Sequence, residues 1–206
     1  MTEWNLPPGE IEKRSFAIIE AEAPEHSWPP EVWSVIRRMI HTTADFEYVT
    51  SVRLQSGGLA PGIEAIRQGR TIVTDTNMAR MGMTTRRLEP FGVRVECLVD
   101  HPEVARTALA EGRTRSAAAV DLSVTLYPGA IYAIGNAPTA LFRLMEHIRT
   151  GQVSPAFVVG LPVGFVNAAE SKAELLKLDI PYLTNVGRKG GSNVAASVIN
   201  ALAELA

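Results

Sequence analysis

From residue 70 onward, short apolar runs alternate with longer stretches of helical periodicity, and this alternation restricts the fold more than any other feature of the chain. The runs are TIVTD (71–75), VRVECLV (93–99), AIYAIG (130–135), PAFVVGLP (155–162) and IPYLTN (180–185). Between and after them lie HPEVARTALAEG, TRSAAAVDLSVTL, APTALFRLMEHIRTG, AAESKAELLKL and SNVAASVINALAELA. Runs too short for helices, separated by segments that read as helices, predict a parallel sheet covered on both faces. The expectation is an α/β chain of three layers, α/β/α, around a mainly parallel five-stranded sheet. YVTSVRLQ (48–55) is a possible sixth strand at an edge.

The first quarter reads differently. GEIEKRSFAIIEAEA spaces Ile11, Ser15, Ile18, Ile19 and Glu22 as a helix does, and PPEVWSVIRRMIHT puts Val32, Val35, Ile36, Met39 and Ile40 on one face. SWPP separates the two, with proline suited to a first helical turn. His41 then falls in the last turn of the second helix or just past it. No repeat, low-complexity stretch or linker interrupts the 206 residues, so a single domain over 1–206 is expected.

In open parallel sheets ligands bind outside the carboxyl ends of the strands. Polar and glycine-rich clusters follow four of the five runs. DTNMARMGMTTRR supplies Asp75, Met78, Gly82, Thr84 and Arg87 as candidates, GNAPT supplies Asn136 and Thr139, and NVGRKGGSN supplies Arg188, Lys189 and Gly190. The remaining cluster is GLPVGFVNAAES (160–171). Pro138 can take a first helical position and leave N–H groups pointing at an anion. Ser192 suits a helix cap, and GRTRS puts Arg113 and Arg115 at a helix start. Such a rim suits a ligand with several carboxylates or phosphates. Glycine and asparagine are equally ordinary between strands and helices, and no Gly-rich phosphate fingerprint or P-loop spacing is present.

Composition excludes more than it selects. A net charge of −2 argues against a nucleic-acid binder. Of the 20 Lys and Arg residues 16 are Arg, whose planar fork suits bidentate carboxylate recognition, although codon bias explains most of them as well. No apolar run approaches the roughly 20 residues of a membrane span, and the amino terminus lacks a signal pattern, so a cytoplasmic protein is expected. Cys97, the single cysteine, permits no intrachain disulfide, and in its apolar run it reads as a small hydrophobe. His26, His101 and His147 lie in segments remote from His41, and no HxH or HExxH spacing exists, so no metal site is expected. A lone histidine is more often structural than catalytic, yet imidazole is the side chain that gives and takes protons near neutrality.

Seven segments carry a more specific signal: EKRSFAIIEAE (12–22), MIHTTADFEY (39–48), TDTNMARMG (74–82), GRTRSAAA (112–119), YAIGNAPTALFRL (132–144), GLPVGFVNAAESK (160–172) and GRKGGSNVAAS (187–197). In this order, over nearly the whole chain, they closely resemble the precorrin-8X methylmutase family of cobalamin biosynthesis. The resemblance implies a flavodoxin-like α/β/α fold and a homodimer with its site near the subunit interface. It also implies migration of a methyl group from C-11 to C-12 of an anionic tetrapyrrole. Metal-free precorrin-8X would give hydrogenobyrinate, and cobalt-precorrin-8 would give cobyrinate. No separate cofactor is implied, because the methyl is already on the ring and any cobalt belongs to the substrate. The family's catalytic histidine matches His41, its serine matches Ser15 and its TRSAA arginine matches Arg115. HTTADF and GRKGGSNVAA resemble cobalt-pathway members. Neighbouring corrin-pathway enzymes are possible partners, and the arm MTEWNLPPG, with Trp4, is suited to reach a second copy.

Two other readings compete. A non-enzymatic corrinoid carrier of the same fold would need the rim but not His41, and His101 directly after Asp100 lacks the DxHxxG spacing of a cobalt-ligating carrier. A response-type module would need an acidic cluster at the first strand end, where only Asp75 stands.

Overall fold

The computed structural model describes residues 7–206, so Trp4 of the amino-terminal arm lies outside the described residues. Among the described residues eleven α-helices and six strands follow one another, with one short 3-10 turn at Glu89–Phe91. Helices α1 (Pro8–Glu22), α2 (Pro30–Thr43) and α3 (Tyr48–Ser51) precede β1 (Val52–Leu54) and α4 (Ala60–Arg67). Then come β2 (Ile72–Thr74), α5 (Asn77–Gly82), α6 (Thr85–Leu88), β3 (Val95–Cys97), α7 (Pro102–Glu111) and α8 (Arg115–Leu126). The carboxyl-terminal third is β4 (Ile131–Ile134), α9 (Pro138–Arg149), β5 (Phe157–Gly160), α10 (Ala168–Leu175), β6 (Tyr182–Asn185) and α11 (Ser192–Leu205).

All five expected strands form, and the sheet has six, in the order β1-β6-β5-β4-β2-β3. The sixth is β1, antiparallel to β6 through Val52↔Asn185 and Leu54↔Leu183, while every other pairing is parallel. The five-stranded expectation is therefore corrected to a mixed, mostly parallel six-stranded sheet. Only the second half of YVTSVRLQ is extended, because Tyr48–Ser51 make a helical turn that buries Tyr48, Val49 and Ser51.

The strands sort their side chains with period two, as a sheet buried on both faces requires. Ile72, Ile131, Ala133, Phe157 and Val159 join α2, α4 and α11 in one core. Val73, Tyr132, Ile134 and Val158 join α8, α9 and α10 in the other. Helix α1 packs on α2, outside the first helix layer. No helix among the described residues is long and apolar enough to cross a membrane.

The chain turns in opposite directions from β2 and β4, which lie side by side. From β2 it moves out to β3 at one edge, and from β4 it moves through β5 to β6 toward the other. A crevice for ligands opens at such a reversal, outside the carboxyl ends of the two strands.

Candidate functional site

The crevice at this reversal is filled by the chain itself. Asp75, one residue past β2, is buried, and its Oδ1 accepts the Gly135 N–H at 3.0 Å. Its Oδ2 accepts the N–H groups of Asn136 at 2.8 Å and Ala137 at 2.6 Å. Pro138 does open α9, as its type suggests, but the anion met by the N–H groups ahead of it is Asp75. Burial pushes the Asp75 carboxyl above its ordinary value, and the three N–H bonds offset part of that rise. The cavity left beside it is about 10 Å³, room for one water at most. Asp75, expected to bind substrate, here ties β2 to the start of α9.

An open groove of about 340 Å³ lies where α1 meets the end of α2, and it joins Ser15 to His41. Ile18, Ile19, Glu22, Ile40, Ala44 and Phe46 complete its walls. Helix α2 is strongly amphipathic, and burial of Val35, Ile36, Met39 and Ile40 leaves His41 facing out. The helix ends as Ala44 turns left-handed at φ 54°, a conformation that costs a non-glycine residue about 1–2 kcal/mol. The His41 ring meets Phe16 edge-on at 5.3 Å between centroids. Thr43, beside it, donates to the Met39 carbonyl at 2.7 Å and so faces back into its own helix.

This helix end is fastened to the rim. Lys189 Nζ, in the loop after β6, pairs with Asp45 at 2.5 Å and Glu47 at 2.8 Å. Both carboxylates follow α2 directly, and they hold the Lys189 ammonium above its ordinary value. Lys189, expected on the substrate, thus serves as a clasp between the rim and the His41 helix. Gly190 is a second structural member of that loop. A Cβ there would stand 2.2 Å from the Leu161 carbonyl oxygen, so only glycine lets the two loops meet. Gly164 N–H donates to Arg188 O at 3.1 Å and Gly191 N–H donates to Leu161 O at 3.0 Å, which zips the loops after β5 and β6 together. The Arg188 guanidinium remains exposed and lies over the Phe165 ring at 5.6 Å.

A further group of expected residues meets at the starts of α8 and α9. Thr139 Oγ1 and Thr114 Oγ1 are 2.9 Å apart, which brings Arg115, first residue of α8, next to Asn136 and Thr139 at the rim. Arg115, Asn136 and Thr139 are all exposed. Arg113, expected to face anions, is instead paired with Asp121 and Glu111. Ser192 is not the cap of α11: Gly191 holds that position, and Ser192 Oγ bonds Thr76 Oγ1 at 2.8 Å. Met78 stands 72% exposed on α5.

Gly82, Thr84 and Arg87 fall away from the rim. Asn200 Nδ2 donates to Gly82 O at 3.0 Å, Thr84 N–H donates to Asn200 Oδ1 at 2.7 Å, and Arg87 pairs with Glu204. With a rise of 1.5 Å per residue, Asn200 and Glu204 lie about 12 and 18 Å down α11 from Ser192 at the rim. A Cβ at Gly82 would come within 2.9 Å of Ala196 Cβ. These three residues, expected at the ligand, dock their segment along α11. Cys97 is half-buried on the edge strand β3, where burial pushes its thiol up.

Sequence reasoning did not single out Lys172. It is 1% exposed, and burial pulls its ammonium down to about 8. Nor did it single out Phe165, 85% exposed on the loop after β5, although an aromatic between glycine and valine in a turn was a usable signal.

Fold and site together define an α/β protein that brings Ser15 and His41 into one groove and leaves Arg115 and Arg188 exposed at the strand ends. The chain belongs to the precorrin-8X methylmutase family, whose model matches residues 10–205. It is 40% identical over 201 residues to the cobalt-precorrin-8 methylmutase of Priestia megaterium, covering 98% of this chain and 89% of that protein. It is 41% identical over 196 residues to the precorrin-8X methylmutase of Pseudomonas aeruginosa, covering 94% and 93%. The solved precorrin-8X methylmutase of Thermus thermophilus superposes with a TM-score of 0.87 at 44% identity, over 95% of this chain and 96% of that one.

Proposed function

We propose that residues 1–206 act as one domain that holds a tetrapyrrole across the rim and presents His41 to it. The chain is an isomerase of the methylmutase class and moves a methyl group within precorrin-8X or cobalt-precorrin-8 in cobalamin biosynthesis. The migration runs from C-11 to C-12: one C–C bond breaks, one forms, and the product is hydrogenobyrinate or cobyrinate. Once the right tautomer is reached, a 1,5-shift along the conjugated ring balances without any external group. The protein's tasks are then to hold the ring and to supply or share one proton.

The observation that carries this reading is the convergence of Ser15 and His41 in one groove beside the clasped rim. His41 is the catalytic group, protonating or hydrogen-bonding the ring nitrogen near the migrating methyl, and Ser15 is a contact beside it. Arg115, Asn136, Thr139 and Arg188 meet peripheral carboxylates, with Met78 an apolar contact. The parallel strands, numbered among themselves, run 2-1-3-4-5, which supports the flavodoxin-like description. A carrier of the same fold would need no imidazole in its groove.

The test is to mix the protein with cobalt-precorrin-8 and, separately, with precorrin-8X, and to follow the visible spectrum. Conversion of at least one substrate is expected, and binding without conversion of either sinks the reading. In the same assay Arg115→Ala is expected to weaken product binding by about 1.5–3 kcal/mol, the worth of a charge-assisted carboxylate contact, and to slow the chemistry less. Unchanged affinity at two salt concentrations would reduce Arg115 to a helix-start decoration.

A homodimer belongs to the same reading, as does a cytoplasmic setting. Met81, Val163, Phe165, Val166 and Val186 expose large apolar surface on or next to the rim loops, and a second copy would cover it. Light scattering at micromolar concentration is expected to return twice the chain mass, and a monomer mass would count against it.

A further inference from the structure

We propose that Lys172 is a positioning residue for substrate binding: its buried ammonium holds the loop after β6 in the shape that presents Arg188.

Lys172 lies on α10, a helix whose neighbouring Glu170 and Glu174 face outward, while Lys172 itself turns in. Its Nζ donates to Asn185 Oδ1 at 3.0 Å and to the Lys189 carbonyl at 2.5 Å. No carboxylate pairs with it among the described residues. A buried charge that meets only neutral acceptors is costly, and an apolar residue of similar length would avoid that cost. What the ammonium provides is a strong donor at a place where the backbone has no regular partner.

That place is the turn from Val186 to Gly191, between β6 and α11. Asn185, itself 1% exposed, adds a second donor, with Nδ2 at 3.0 Å from the Lys189 carbonyl and 3.3 Å from that of Val186. Lys172 and Asn185 therefore grip the residue next to Arg188 from inside. From outside, the Lys189 side chain is held by Asp45 and Glu47 at the end of the His41 helix. The loop is clamped on both sides, and Arg188 is the exposed cation between the clamps.

Helix α2 keeps its place through burial against α11, so loosening the inner clamp should disturb Arg188 more than His41. Lys172→Met is thus expected to raise KM for cobalt-precorrin-8 and to weaken cobyrinate binding by about 10-fold, with kcat falling less than about 3-fold. The decisive measurement is the double variant. If Lys172 acts through Arg188, adding Lys172→Met to Arg188→Ala should weaken cobyrinate binding by no more than about 2-fold further, because coupled sites do not add.

Asn185→Ala removes the other half of the inner grip, together with the Oδ1 that holds Lys172 Nζ, and it is expected to shift KM in the same direction. It carries the test if Lys172→Met does not fold. Cobyrinate binding like wild type in the folded single variant, or a full additive loss in the Arg188→Ala background, overturns the inference. The proposal rests on the reading of Arg188 as a carboxylate contact. If Arg188→Ala alone binds cobyrinate like wild type, that reading falls together with this one. If Arg188→Ala weakens binding and neither clamp variant does, this inference alone falls.

Discussion

His41→Asn is expected to lower turnover by about 10²- to 10⁴-fold, the usual worth of one general acid or base, while product binding and folding stay near wild type. The expectation of intact folding comes from the packing of α2. Its buried face is Val32, Trp33, Val35, Ile36, Met39 and Ile40, and His41 is on the opposite, exposed side. The helix end is fixed by the Ala44 N–H on the Ile40 carbonyl at 2.7 Å and by the Lys189 clasp, neither of which uses the imidazole. The imidazole ring meets Phe16 edge-on, a contact that asparagine gives up without opening the buried face. Asparagine keeps a donor and an acceptor but cannot titrate, so it separates proton transfer from shape. The pH profile of the residual rate should also flatten relative to wild type, because the variant has no proton to give or take at this position. Near-normal kcat with an unchanged profile would remove His41 from the mechanism and leave the family assignment standing.

The parts of the fold that were legible in the sequence are those set by burial on both faces of a sheet. TIVTD, AIYAIG and PAFVVGLP are apolar because both sides of β2, β4 and β5 are covered, and such a run has few alternatives. YVTSVRLQ was legible only in part. Its β-branched residues fit a strand, but burial of Tyr48 and Val49 against the helix layer favours a turn of helix before Val52. Tertiary packing decided there, and propensity did not.

The site divides along a similar line. Ser15 and His41 were legible through the resemblance, and the structure brings both into one groove. Lys189 looked like a free cation because its partners, Asp45 and Glu47, are far away in sequence. Gly82, Thr84 and Arg87 looked like rim residues because they follow a strand. Their segment instead turns down α11, where Asn200 and Glu204 hold it. Lys172 was invisible for a different reason: on a short helix with little segregation of apolar and polar residues, one inward lysine has the same pattern as a solvated one until burial is known. GNAPT suggested helix-start N–H groups for a ligand anion, whereas the N–H groups that meet an anion are those of Gly135, Asn136 and Ala137 ahead of α9, and the anion is Asp75.

That internal anion leads to the second large effect. Asp75→Asn is expected to destabilise the protein by about 2–4 kcal/mol, although the two side chains have nearly the same shape. Three N–H donors converge on the Asp75 carboxylate, one on Oδ1 and two on Oδ2. An amide has one oxygen where the carboxylate has two, and its other end carries two N–H bonds. With its oxygen toward Asn136 and Ala137, the new side chain sets its NH₂ against the Gly135 N–H. Flipped, it sets the NH₂ against the other two. Either way at least one buried N–H loses its acceptor and faces another donor, at about 1–3 kcal/mol for each group left unmet. The space beside it holds one water at most, so solvent cannot make good the loss. Because Gly135, Asn136 and Ala137 lead into α9, the same change should shift Asn136 and Thr139 and weaken cobyrinate binding in whatever fraction stays folded. Urea unfolding followed by circular dichroism gives the stability directly. A loss below about 0.5 kcal/mol, the range of neutral surface substitutions, would mean that this carboxylate does not hold the crevice closed.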